Sequence, residues 1–229
     1  FIDHDWGNYV IKPDVSMIGK KNVFKPENSS EAKLFFELAK SESFNNNVNL
    51  QEYIYGIDLV LFVMCFKGKP INTIIFEELV SLNNNKFEGI GLLIPTDFIN
   101  LELINKLKST IKKLIAHWKV EAGFISFSFK IDNNSRPWLY EVNPGLCGDM
   151  IISTFLPRAL NICVNDFYKL DISLSAGIEK NIEFNLQEAI CLFNKEILSK
   201  EEGLQMIKNS FNTYELNERR NKILGYSVN

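Results

Sequence analysis

The chain has 229 residues, 46% of them hydrophobic and 23% charged, with a formal net charge of −3. That balance excludes collagen-like, low-complexity and disordered classes, and it allows roughly 70% of the unfolded surface to be buried without staples. An acidic surface also argues against sequence-independent binding of nucleic acid, and no apolar run approaches the roughly 18 residues of a membrane-spanning helix.

The four cysteines, Cys65, Cys147, Cys163 and Cys191, form no C-x-x-C pair and read as reduced, mostly buried residues of a cytoplasmic protein. With only His4 and His117, a histidine-rich metal site is not expected. Phe1 to Asp5 do not read as a signal peptide and lack an initiating Met, so the chain reads as the later part of a longer protein.

Along the chain, Tyr9 to Ile11 form a short strand that ends at Lys12-Pro13. A polar turn around Gly19 follows, and Asn22 to Lys25 can return as a hairpin partner. Asn28 and Glu31 have capping-box spacing and open a helix whose apolar face is Leu34, Phe35, Leu38 and Ala39. Phe44 to Asn49 reads as an exposed turn, and Leu50 to Ile54 as a strand broken by Tyr55-Gly56. Leu59 to Phe66 is a strongly apolar strand, with Ile71 to Phe76 returning after a Gly68-Lys69-Pro70 turn. Asn83 to Lys86 is a polar loop. Asp97 or Asn100 caps an amphipathic helix carrying Ile104, Leu107, Ile111, Leu114, Ile115 and Trp118.

Phe124 to Ile131 alternates with serine, which predicts a strand with one buried face. Asp132 to Arg136 turns, and Trp138 to Val142 is the partner strand, ended by Pro144-Gly145. Ile151 to Asn161 reads as a short helix, and the pattern from Asn185 onward reads as helical, with a second capping box at Ser199 and Glu202. Strands and helices mix without regular β-α-β alternation, so the predicted class is α+β.

Three segments could carry chemistry. Glu141 and Asn143 are two apart on a strand and leave one face, while Tyr140 and Val142 point to the other. A carboxylate beside an amide oxygen suits Mg²⁺, which keeps few protein ligands. The alternative is a polar edge strand running into a Pro-Gly turn. Lys12 at a strand end beside the Gly19-Lys20-Lys21 loop can hold phosphate, or the loop can be a solvated tip. Gln51 to Asp58 (QEYIYGID) offers extended backbone to an adenine edge and an acid to ribose, or is an ordinary strand-turn-strand.

In order and spacing, VIKP at Val10 to Pro13, the glycine loop, QEYIYGID, a hairpin around Gly68-Lys69, an amphipathic helix, GFISFSFKID and WLYEVNPG resemble the ATP-grasp superfamily. The resemblance spans about residues 5 to 160 and is closest to the carboxylate–amine ligase and carbamoyl-phosphate-synthase-like branches. It implies an ATP-grasp fold of two lobes with nucleotide between them, and ATP and Mg²⁺ as cofactors. By the same resemblance Lys12 contacts the phosphates, Gly19, Lys20 and Lys21 belong to the closing loop, and Gln51, Glu52, Tyr53 and Ile54 form the adenine hinge. Asp58 would hold the ribose, and Glu141 and Asn143 the metal.

Three departures stand out. Ser128 occupies the nearest match to a further acidic metal ligand. Gly145 stands where the family often has an arginine, for which Arg158 or Arg136 would have to substitute. The family's N-terminal substrate domain has no counterpart here.

The implied organisation is a small lobe over residues 1–52, a large lobe over 53–170 and a helical extension over 171–229. Leu186, Ile190, Phe193 and Ile197 of that extension form one face and Leu204, Ile207 and Phe211 another, packed on the ligase body or forming a homodimer surface. The implied activity is an ATP-dependent carboxylate–amine (or thiol) ligase acting on small molecules, with no membrane partner. The rivals are a nucleotide-binding scaffold or regulatory subunit without turnover, and an ATP-grasp kinase.

Overall fold

A computed structural model describes residues 5–16, 20–94, 100–148, 150–180 and 189–192. The chain divides into two compact units, Phe1–Tyr55 with Val80–Ile90, and Gly56–Leu79 with Gly91–Asn229. The first boundary falls inside the QEYIYGID segment.

In the first unit, β1 (Tyr9–Pro13) pairs antiparallel with β2 (Val48–Glu52), and α1 spans Ser29–Glu42. Asn28 caps α1 by accepting a hydrogen bond from the Glu31 N–H, as the capping box predicts. Its buried residues are Ala32, Phe35 and Ala39, whereas Leu34 and Leu38 are exposed, a correction to the predicted face. The reason is Phe24: its ring stacks on Phe35 at 4.4 Å and draws that stripe into a core with Trp6 and Ile11. Phe24 returns to β1 as a single bridge to Ile11 and not as the full strand expected.

A six-stranded sheet has the order β7-β6-β3-β4-β5-β8, and all of it except Val80–Ile90 belongs to the second unit. Its strands are β3 (Ile57–Phe66), β4 (Lys69–Asn83), β5 (Lys86–Ile94), β6 (Ala122–Ile131), β7 (Pro137–Pro144) and β8 (Ala189–Leu192). β3 is buried on both faces, which explains the unbroken apolar run from Leu59 to Phe66. One face is covered by α2 (Leu101–Trp118) through Leu103, Leu107, Ile111 and Ile115. Asn100 caps α2 by accepting from the Leu103 N–H.

The other face packs on α3 (Leu156–Leu160) and α4 (Val164–Ser175), with Phe62, Phe76, Phe124, Phe155 and Phe167 between. β6 is therefore buried on both sides, and its serines are interior residues: Ser126 and Ser128 are 2% and 5% exposed. Two further expectations are corrected. β4 extends to Asn83 and β5 follows it, where only a polar loop was predicted. Ala189–Leu192 is a strand paired with Gly91–Ile94, not part of a helix; a short apolar run fits either period, and an open sheet edge supplied its partner. The rest of the predicted C-terminal helices lies outside the described residues.

Gly56 begins the second unit for a steric reason. A Cβ there would lie 1.9 Å from the Ile131 carbonyl oxygen, so only glycine lets the chain pass the end of β6.

Candidate functional site

The polar face of the second unit follows from register. Ser126 opposes Asn143 and Ser128 opposes Glu141 across β6 and β7, while Asp58 of β3 opposes Lys130 on one side and Glu78 of β4 on the other. Direct cross-strand partners share a face. Glu141, Asn143, Ser126, Ser128, Lys130, Asp58 and Glu78 thus occupy one face, continuous with the side that packs on α3 and α4. Glu141 and Asn143 are exposed at its end.

Inside that face Lys130 Nζ lies 2.6 Å from Asp58 Oδ2, with side chains 13% and 8% exposed. The Tyr140 hydroxyl donates to Asp58; burial, then the charges of Asp58, Glu78 and Glu141, push its phenol well above the ordinary tyrosine range. Tyr140 therefore joins the polar face, contrary to the expectation that it anchors in the core opposite. Val142 does pack against the α2 side. The Cys147 thiol is pushed up to about 11, chiefly by burial, with Glu78 and Glu141 adding to it while the Ser126 hydroxyl hydrogen-bonds the sulfur and opposes the shift.

Asp58 is ion-paired and 7% exposed, so its charge is already neutralised within the sheet face, a poor setting for an acid meant to receive ribose hydroxyls. Ser128 pairs across from Glu141, but it brings a buried hydroxyl and no charge. Gly145 adopts φ +91, a conformation strained for any L side chain, and its N–H donates to the Phe124 carbonyl. The backbone itself thus disfavours arginine at that position. Arg158, on α3, and Arg136 are exposed. Among the described residues no cluster of three or more His, Cys, Asp or Glu is placed to hold a metal ion.

In the first unit Lys12 opposes Asn49 and Val10 opposes Gln51, so Lys12 and Gln51 share one face of the β1–β2 ribbon. Glu52 is exposed and Ile54 half-buried. Tyr53 is buried, its N–H donates to the Asn8 carbonyl, and the Lys25 ammonium sits 5.2 Å from its ring centre. Lys20 has φ 60, and Lys21 pairs with Glu42 at 2.7 Å. Met17 to Gly19 lie outside the described residues.

Sequence reasoning missed Glu78, Lys130 and the role of Tyr140. Two signals were present: a Glu77-Glu78 pair between the apolar runs Ile74–Phe76 and Leu79–Val80, and Lys130 two residues beyond Ser128 on the same alternation.

No family model matches the sequence, and no curated protein matches it. Solved structures do. The biotin carboxylase domain of the Hydrogenobacter thermophilus 2-oxoglutarate carboxylase, solved with MgADP, ADP and bicarbonate, superposes with a TM-score of 0.62 at 18% identity over 80% of this chain and 40% of that one. The L-amino acid ligase of Bacillus licheniformis gives 0.60 at 15% identity over 80% and 43%. N5-carboxyaminoimidazole synthetase of Staphylococcus aureus, complexed with ADP, gives 0.58 at 16% identity over 93% and 50%.

The chain has the ATP-grasp fold. It spans half or less of the length of these structures. No helix among the described residues is long and apolar enough to cross a membrane.

Proposed function

We propose that the chain carries the nucleotide- and metal-binding elements of an ATP-dependent ligase that activates a small carboxylate for attack by an amine or thiol. The observation that carries this reading is the exposed Glu141–Asn143 pair on one face at the end of β7, in a chain with the ATP-grasp fold. That the same fold serves an L-amino acid ligase and a synthetase complexed with ADP supports it.

The donor set fits Mg²⁺: one carboxylate and one amide oxygen are hard ligands, and two protein ligands leave the remaining positions to phosphate and water. Bound there, Mg²⁺ would offset the charge on the phosphate oxygens as the β–γ bridge breaks. Lys12 would add an ammonium at the phosphates, and Gln51, Glu52 and Ile54 would line the adenine. The 17–21 loop, with Lys20 and Lys21, would exclude water. A substrate carboxylate oxygen would attack the γ-phosphorus as ADP departs, giving an acyl phosphate. An amine nitrogen would then attack the acyl carbon as phosphate leaves. Arg158 remains the residue proposed to steady the transferring group. Asp58 is left out of the nucleotide site because of its ion pair with Lys130.

The test is ADP release with Mg²⁺ and a panel of small carboxylates and amines. Lys12→Ala and Glu141→Gln should each lose at least about a hundredfold in rate, the scale of lost electrostatic stabilisation. Wild-type rates in either variant overturn the proposal. A second reading, a nucleotide-binding scaffold without turnover, is favoured by the buried hydroxyl of Ser128 opposite Glu141 and by the left-handed Gly145. Nucleotide binding without ADP release would select it.

A further inference from the structure

β7 holds one residue more than β6 requires. Up to Leu139 the strands pair in one register: Ile131 with Pro137, Lys130 with Trp138 and Phe129 with Leu139. From Glu141 they pair in another: Ser128 with Glu141, Phe127 with Val142 and Ser126 with Asn143. Tyr140 is the extra residue, and the strand bulges there.

The bulge decides which way Glu141 points. Continued without a break, the first register would set Glu141 against Phe127 and Val142 against Ser126. Phe127 belongs to the core under α2, so Glu141 and Asn143 would turn into that core and Val142 into the polar face. One added residue reverses all three.

The residue that makes the bulge is also the one fastened down. The Tyr140 hydroxyl donates to Asp58, which lies two strands away on β3. Asp58 is in turn held by Lys130 at 2.6 Å, directly across on the intervening β6. The hydrogen bond therefore ties β7 to the sheet interior at the point where its register changes.

We propose that Tyr140, through its hydrogen bond to the Asp58–Lys130 pair, is a positioning residue that holds β7 in the bulged register presenting Glu141 and Asn143 as oxygen ligands to a divalent cation. This rests on the reading of Glu141 and Asn143 as cation ligands. Groups that orient ligands without touching the metal typically change its affinity by about 10–100-fold when removed.

The experiment titrates Mn²⁺ by electron paramagnetic resonance into the full chain with a non-hydrolysable ATP analogue. It compares the wild type with Tyr140→Phe and Glu141→Gln, and uses Tyr168→Phe, an exposed tyrosine on α4, as control. The thermal midpoint of each variant is recorded alongside. Tyr140→Phe should weaken Mn²⁺ binding about 10–100-fold, and its ADP release should need more Mg²⁺ while reaching the wild-type rate at saturating metal. Should Tyr140→Phe not fold, the double variant Asp58→Val/Lys130→Met, which removes both charges and the acceptor of the tyrosine hydroxyl, should show the same weakening. If wild type binds Mn²⁺, Glu141→Gln does not, and Tyr140→Phe (or the double variant) binds like wild type, the positioning role is wrong and the ligand assignment stands. If wild type binds no Mn²⁺, or Glu141→Gln binds it equally well, the ligand assignment itself fails and the positioning role with it.

Discussion

Replacing Lys130 with methionine tests the energetics of the polar face. The Lys130–Asp58 contact is 2.6 Å, and the two side chains are 13% and 8% exposed. At an effective dielectric of about 20 the attraction is about 6 kcal/mol, and desolvating each ion costs several kcal/mol, so the intact pair is close to neutral overall. Lys130→Met removes the attraction and leaves the Asp58 carboxylate buried beside the Tyr140 hydroxyl without its counter-ion. The expected loss is about 3–5 kcal/mol, or about 6–20 °C in thermal midpoint for a chain of this size. Asp58→Asn should cost a similar amount by stranding the ammonium. The double variant Asp58→Asn/Lys130→Met should be more stable than the sum of the two losses by at least about 2 kcal/mol, because it strands neither charge. Urea unfolding of the four proteins measures the cycle. A loss under about 1 kcal/mol for Lys130→Met, or strict additivity, would mean the pair behaves as a solvated surface contact and would refute the reasoning.

Gly56→Ala places a methyl 1.9 Å from the Ile131 carbonyl oxygen and 2.6 Å from its carbon, both backbone atoms that must move by about an ångström. A loss of about 1–3 kcal/mol or more is expected in urea unfolding, and a neutral result would contradict the close approach. On α1, Phe35→Ala should cost about 3–5 kcal/mol while Leu34→Ser stays within about 0.5 kcal/mol, which distinguishes the two stripes of that helix by thermal melting. Burial pushes the Cys65 thiol from its ordinary 9.0 up to about 11, so the folded state favours the protonated form. That contribution is fully present below pH 9 and is lost as pH rises through about 11; it amounts to roughly 3 kcal/mol, and Cys65→Ala should flatten the fall in unfolding free energy over that range. At pH 8 exposed Cys163 should alkylate well before Cys65 and Cys147.

What could be read from the sequence was what is decided locally. Asn28 and Asn100 cap their helices through side-chain bonds to the N–H three residues on, so short windows contain the whole cause. The β6–β7 hairpin was legible because Asp132 accepts from the Asn134 and Arg136 N–H groups within its own turn. α1 was harder. Leu34 and Leu38 are as periodic as Phe35 and Ala39, and only Phe24, brought alongside by its bridge to Ile11, selects between the stripes. β5 and the far half of β4 were missed because Glu77, Glu78, Ser81 and Glu88 interrupt the apolar pattern, and a sheet supported by its neighbours tolerates those interruptions.

The candidate site divides the same way. That Glu141 and Asn143 lie together on one face follows from the strand period alone, wherever the strand ends up. Which face they take does not, because it depends on a register change at Tyr140 that no spacing within WLYEVNPG encodes. Asp58 illustrates the cost of that gap. Read alone it is an acid beside a nucleotide hinge, yet its setting depends on Lys130, which lies 72 residues on in sequence and directly across on the neighbouring strand. The pair and the tyrosine hydroxyl exist only once three strands are aligned. The groups in direct reach of solvent were therefore visible as a motif, while the groups that aim them were products of the sheet.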